Sequence, residues 1–216
     1  MRRCENKGIQ QNMSITDYFS KDPNKRAKFI FNLIAPIYGN VDAGLIKNYR
    51  HAIGMVDKEI GIKGKRVLDI GTGTGAWAEA FRIKGAVDIH GIDFSTKMLT
   101  ESKKKHPAIS FAFGDGENLN NFEDNSFDIV TASYVLHGVK KDRRKKMLNE
   151  MKRVSKKHVV IHDFSGSTPL FLRFLEMMEK SDYKNFKANF CDELKSLFFE
   201  AKKLESINGS GLYFAY

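Results

Sequence analysis

The segment Asp69-Ile70-Gly71-Thr72-Gly73-Thr74-Gly75 concentrates residue types that can hold a charged ligand. The apolar pair Val67-Leu68 leads into it and a helical pattern follows from Ala76. Glycines let a chain turn tightly and bring its backbone close to a ligand. The helix start beyond them offers unpaired N–H groups and a positive dipole end to an anion. The letters Gly71-x-Gly73-x-x-Ala76 also satisfy a dinucleotide fingerprint, so glycine spacing does not choose between ligands. Asp69 does more: a carboxylate at a strand end holds an ammonium group and is unwelcome beside a pyrophosphate.

Three further segments carry carboxylates or hydroxyls at strand ends. In His90-Gly91-Ile92-Asp93-Phe94-Ser95, Asp93 can accept both ribose hydroxyls of an adenosine ligand. Ser95 is an N-cap for the next helix; Asp93 as a mere turn residue is the simpler alternative. In Phe113-Gly114-Asp115-Gly116-Glu117-Asn118-Leu119, Asp115 is placed to accept from an adenine amino group, although Gly-Asp-Gly alone is only a turn. The fourth segment, 125–137, sends Ser133 and Tyr134 toward the carboxyl ends of the strands, where open α/β sheets bind ligands, with His137 just beyond. Candidate proton acceptors are His137, His162 and Asp163. The last two alternate faces on one strand, so at most one of them faces the site. His137, in an apolar stretch, reads equally well as a structural histidine.

Positioning these residues requires alternating strands and helices. Apolar runs predict strands at Arg66–Ile70, 87–93, 109–113, Phe127–Ser133 and 158–164. Helical periods predict helices at 76–84, 96–105, 142–155, 168–181 and 191–201. Two helices precede the first strand, at 24–38 and Asp42–Ile60, after a tail over residues 1–13. Strands at 203–207 and 211–216 meet at Asn208-Gly209, a hairpin signal. This order predicts an α/β fold with a mostly parallel sheet. Residues 1–60 are expected to form a tail and helical cap of the same domain, and 61–216 the catalytic domain.

Composition bounds the rest. A chain of 216 residues suits one domain. No apolar run approaches the roughly 20 residues that span a bilayer. The basic, polar N-terminus does not read as a secretory signal, and two cysteines, Cys4 and Cys191, are too few for a disulfide framework. A cytoplasmic protein without a metal site is expected. The net charge of +10 admits an anionic partner, including nucleic acid. Much of it lies at 140–157, where Met147, Leu148, Met151 and Val154 form one apolar stripe, so a solvated outer face accounts for it.

In order and spacing, the segments 67–75, 91–95, 114–119 and 127–137 resemble the class I S-adenosylmethionine-dependent methyltransferases, over roughly residues 40–216. The resemblance implies a Rossmann-like seven-stranded sheet with helices on both faces, whose C-terminal strand is antiparallel. It implies S-adenosyl-L-methionine as cofactor, with Asp69, Gly71, Thr72 and Gly73 at its methionine end and Asp93 on the ribose. Phe94 and Met98 would flank adenine, Asp115, Gly116 and Glu117 would meet its edge, and Ser133 would complete the cofactor set. Tyr18, Tyr38 and Tyr134 would close over the site or contact substrate, and His137 and Asp163 are the catalytic candidates. Phe31-Asn32-Leu33-Ile34-Ala35-Pro36-Ile37-Tyr38 resembles the opening of the ubiquinone/menaquinone C-methyltransferase branch and its small-molecule relatives. The chain departs from that branch at Tyr38-Gly39-Asn40, where an acidic residue is usual, and at 133–138, which lacks an Arg-Asn pair. The expected activity is in-line methyl transfer to a small molecule. The alternatives are an RNA or protein methyltransferase using the basic surface, a nicotinamide-dependent oxidoreductase, and a non-catalytic nucleoside-binding relative.

Overall fold

A computed structural model describes residues 42–166, 182–207 and 209–216 of the chain, with side chains from Tyr49 onward. The expected helices at 24–38 and 168–181, with Tyr18, Tyr38 and Asn208, lie outside the described residues. Seven strands form one sheet: β1 (Arg66–Ile70), β2 (Asp88–Asp93), β3 (Ser110–Phe113), β4 (Phe127–Ser133), β5 (Ser155–Phe164), β6 (Ala201–Glu205) and β7 (Ser210–Ala215). Their order is β3-β2-β1-β4-β5-β7-β6. β7 is antiparallel to both its neighbours, β5 and β6, while the other pairings are parallel. The Rossmann-like, mostly parallel sheet is therefore as expected, and the last strand slots between the two before it.

Because successive side chains alternate faces, the strands feed two separate cores. On one face Val67, Ile129 and Val160 pack with α1 (Asp42–Ile60), α2 (Ala76–Ile83) and α3 (Thr96–Lys105), through Ile53, Val56, Trp77, Phe81 and Leu99. On the other, Leu68, Ile70, Val130 and Ile161 meet α4 (Lys141–Val154) and α5 (Tyr183–Leu197), through Leu148, Met151, Phe186 and Phe190. Central parallel strands covered on both sides are apolar throughout, which is why β1 and β4 show little polar alternation. Phe186 and Phe190 are core; burying each ring contributes roughly 1.5–3 kcal/mol.

The element ends differ from the sequence reading at the C-terminal third. α5 begins at Tyr183, not at Cys191, because Phe186, Phe190 and Leu194 together make its buried stripe. Ala201, expected to be helical, opens β6. β5 starts at Ser155, directly after α4, before its apolar residues begin. The largest correction is Arg144, expected on the solvated face of α4. It is fully buried, at one end of the apolar stripe. Its guanidinium donates to Glu193 at 2.7 and 2.8 Å, to Asp182 at 3.2 Å, and to the carbonyls of Leu136 and Val139. The cation is tolerated because its donors meet acidic or carbonyl oxygens.

Candidate functional site

The glycine loop leaves β1 and crosses the carboxyl end of β2. Gly71 N and Thr72 N donate to the Ile92 carbonyl at 2.8 and 3.0 Å, while Gly73 N donates to Asp93 Oδ2 at 2.9 Å. Asp93 Oδ1 accepts from Ser95 N at 2.7 Å, and Ser95 Oγ caps α3 by accepting from Met98 N. One carboxylate thus ties the loop to the next helix. Gly71 has φ 68°, and a Cβ there would lie 2.5 Å from Val135 Cγ2. Only glycine fits that conformation and that gap.

Asp69 is buried, and neither of its oxygens has a hydrogen-bond partner among the described residues. Burial, reinforced by the Asp93 charge and only partly offset by the neighbouring Thr72 hydroxyl, pushes its pKa up to about 7. Burial also raises Asp93, against the backbone N–H groups that favour its ionised form. A buried carboxyl with no partner costs free energy and calls for a ligand or another explanation. An ammonium group is the ligand that fits: it pairs with the carboxylate and restores the lost solvation.

The remaining sequence candidates divide between the faces of the sheet. Phe94 is half-buried and Met98 is buried at the start of α3. Asp115 is exposed and shapes its own turn, accepting from Glu117 N at 3.0 Å, and Gly116 is buried against Ile70 and Met147. Glu117 is held by an ion pair with Arg143. Ser133 pairs across the sheet with His162 and shares the face of Asp69. Tyr134 follows with φ 53°, a strained conformation for a non-glycine residue at the carboxyl edge.

His137 and Asp163 lie on the opposite face. Asp163 Oδ1 is 2.7 Å from His137 Nδ1 and accepts from Phe164 N, while Oδ2 accepts from Leu136 N and His137 N. Asp163 is wholly buried within these contacts, and the His137 ring packs on Phe164 at 4.7 Å. His162 instead points toward α1 and α2, stacked on Trp77 at 5.1 Å with Tyr49 and Tyr134 at its edges. Burial pushes its pKa down to about 4. Trp77, Tyr49 and Ser210 were not singled out from sequence as site residues. Trp77 carried a signal, as the lone tryptophan just after the glycine loop. Ser210 carried none, because its neighbours depend on where β7 inserts.

A methyltransferase-domain family model matches residues 67–158. The demethylmenaquinone methyltransferase of Staphylococcus epidermidis is 35% identical over 168 residues, covering 64% of this chain and 68% of that protein. This chain belongs to the S-adenosylmethionine-dependent methyltransferases. The demethylmenaquinone methyltransferase of Renibacterium salmoninarum is 37% identical over 145 residues, covering 64% of this chain. The chain spans 59% of that protein's own length. A SAM-dependent methyltransferase from Aquifex aeolicus shares the fold with a TM-score of 0.60, at 19% identity, over 81% of this chain and 97% of that one. S-adenosylmethionine is the family's cofactor, and this methyltransferase presents two features that suit it. The unpartnered Asp69 suits its ammonium, and the loop-bound carboxylate of Asp93 at the end of β2 suits hydroxyl donors. Among the described residues of the methyltransferase, no helix is long and apolar enough to cross a membrane. No cluster of metal-binding side chains occurs among them either.

Proposed function

We propose that this chain transfers a methyl group from S-adenosylmethionine to a small-molecule acceptor in the cytoplasm, releasing S-adenosylhomocysteine. The observation that carries the reading is Asp69, a buried carboxylate without a partner at the end of β1. In this reading Asp69 holds the cofactor's ammonium, with Gly71, Thr72 and Gly73 at the carboxylate end. Asp93 takes the ribose, Phe94 and Met98 flank adenine, and Asp115, Gly116 and Glu117 surround its edge. When bound, the cofactor supplies an activated sulfonium methyl group. The protein's work is then to align the acceptor and exclude water, and orientation supplies much of the rate.

An aromatic acceptor of the quinone type fits best. The named relatives are demethylmenaquinone methyltransferases, and Tyr49, Tyr134 and Phe164 give the face beside Ser133 an aromatic character. The basic surface lends an RNA or protein substrate little support. Arg143, Arg144 and Arg153 pair with Glu117, Glu193 and Glu150 within the chain. Asp163, surrounded by backbone donors, acts as a structural anchor for the turn carrying His137, not as a base.

Calorimetric titration with S-adenosylmethionine, S-adenosylhomocysteine and NAD tests the proposal. Binding of the two sulfur compounds, lost in Asp93→Ala and absent for NAD, is the expected outcome. Binding of NAD alone would overturn it.

A further inference from the structure

We infer that Ser133 is the hydroxyl that receives the methyl acceptor, and that His162 is the positioning residue that aims it. The inference rests on the methyltransferase reading and assigns Ser133 to the acceptor instead of the cofactor. Four contacts make a chain of hydrogen bonds, with the Tyr134 hydroxyl also bonded to Ser210, and on this inference the chain has one direction. Ser210 Oγ donates its single hydrogen to the Ile207 carbonyl at 2.8 Å. It therefore accepts from His162 Nε2, 3.2 Å away, and Nε2 carries the ring hydrogen. That leaves Nδ1 with a lone pair 3.1 Å from Ser133 Oγ, and the inferred direction sends the Ser133 hydrogen there and not to the more distant Tyr49 hydroxyl. The Tyr49 hydroxyl lies 3.4 Å from the same oxygen.

The ring is held against flipping. It stacks on Trp77 with 20° between planes, and Trp77 is itself pinned by its Nε1–H to Thr131 Oγ1 at 3.0 Å. Thr131 Oγ1 donates onward to the Val160 carbonyl at 2.7 Å, so the clamp belongs to the sheet. Burial keeps the imidazole neutral at pH 7, its pKa pushed down to about 4, so the two nitrogens hold opposite roles. With its hydrogen committed inward, Ser133 Oγ meets a ligand as an acceptor. Ser133, Tyr134 and Tyr49 are all partly exposed. The chemistry this selects is an aromatic ring bearing a hydroxyl, which donates to Ser133 while the ring packs on Tyr134. A site built to hydrogen-bond a hydroxyl discriminates strongly against the analogue that lacks it.

The test uses the full chain loaded with S-adenosylhomocysteine and two probes, 1-naphthol and 1-methoxynaphthalene, with binding measured by calorimetry. The expected result is at least about ten-fold tighter binding of the naphthol, corresponding to about 1.4 kcal/mol. Ser133→Ala and His162→Phe abolish that preference, the second while keeping a ring on Trp77. His162→Gln, which retains one acceptor and one donor, recovers part of it. Affinity for S-adenosylhomocysteine stays unchanged in all three variants. Long-range 15N NMR of the wild type at pH 7 shows His162 with its hydrogen on Nε2. A hydrogen on Nδ1, a preference that survives Ser133→Ala, or no naphthol binding by the wild type overturns the inference. If the wild type fails to bind S-adenosylhomocysteine, the cofactor reading falls. The spectrum and the naphthol comparison, repeated without it, still decide the role of Ser133.

Discussion

Asp69 and Ser133 project from the same face of neighbouring strands, because Asp69 pairs with Thr131 and Ser133 follows two residues later. Strand rise and spacing put their Cα atoms about 8 Å apart. On the proposed reading a group held by Asp69 sits beside an acceptor at Ser133, while Asp163 projects from the other face and holds His137. On that reading, cofactor and acceptor share one face and the structural anchor lies on the other.

On the proposed reading, Asp69 makes cofactor binding a proton-coupled event. Its folded-state pKa of about 7 lies above the ordinary 3.8, so the folded protein holds this proton more tightly than the unfolded chain does. Its contribution to stability is full below about pH 4 and is lost as pH rises through about 7. The stability deficit of the ligand-free wild type relative to Asp69→Asn should grow across that window to a few kcal/mol. An ammonium ligand favours the ionised form, so binding at pH 6 should release most of one proton. Calorimetry in buffers of differing ionisation enthalpy reads that number directly, and Asp69→Asn should bring it close to zero.

Gly71→Ala should destabilise the fold by about 2 kcal/mol and abolish cofactor binding. The added methyl meets Val135 Cγ2, and the backbone stays at positive φ. The double variant Gly71→Ala/Val135→Ala opens the space but keeps the φ strain. Its melting temperature should recover only partway, which thermal denaturation measures.

Arg144→Met should cost about 3–5 kcal/mol, since Glu193 and Asp182 lose the cation that compensates them. Combining it with Glu193→Met should restore much of the loss. Urea unfolding of the single and double variants provides the comparison.

Asp163→Asn separates an anchor from a base. The amide nitrogen would face the Leu136 and His137 N–H groups in one orientation and the Phe164 N–H in the other, costing about 2–4 kcal/mol. The expected variant melts early yet binds S-adenosylhomocysteine within about two-fold of the wild type. A variant of unchanged stability that binds cofactor but transfers no methyl group would instead identify Asp163 as the base.

Local chemistry made much of this molecule legible from its residues alone. The apolar runs, helical periods, glycine loop and Asn208-Gly209 signal are properties of short segments, and they located all seven strands and the carboxylates at their ends. The parity of a strand also required that His162 and Asp163 face opposite ways. Parity says nothing of which face is which. That depended on α1 and α2 covering one side and α4 and α5 the other, through contacts between residues far apart in the chain. The same holds for β7, whose insertion between β5 and β6 brings Ser210 to His162. Arg144 was misread because its charge signals solvent. Its burial depends on acidic partners nearly 40 and 50 positions away, Asp182 and Glu193. Asp69 was legible as a carboxylate at a strand end. That it is buried without a partner was decided only by the neighbours that tertiary packing did and did not supply.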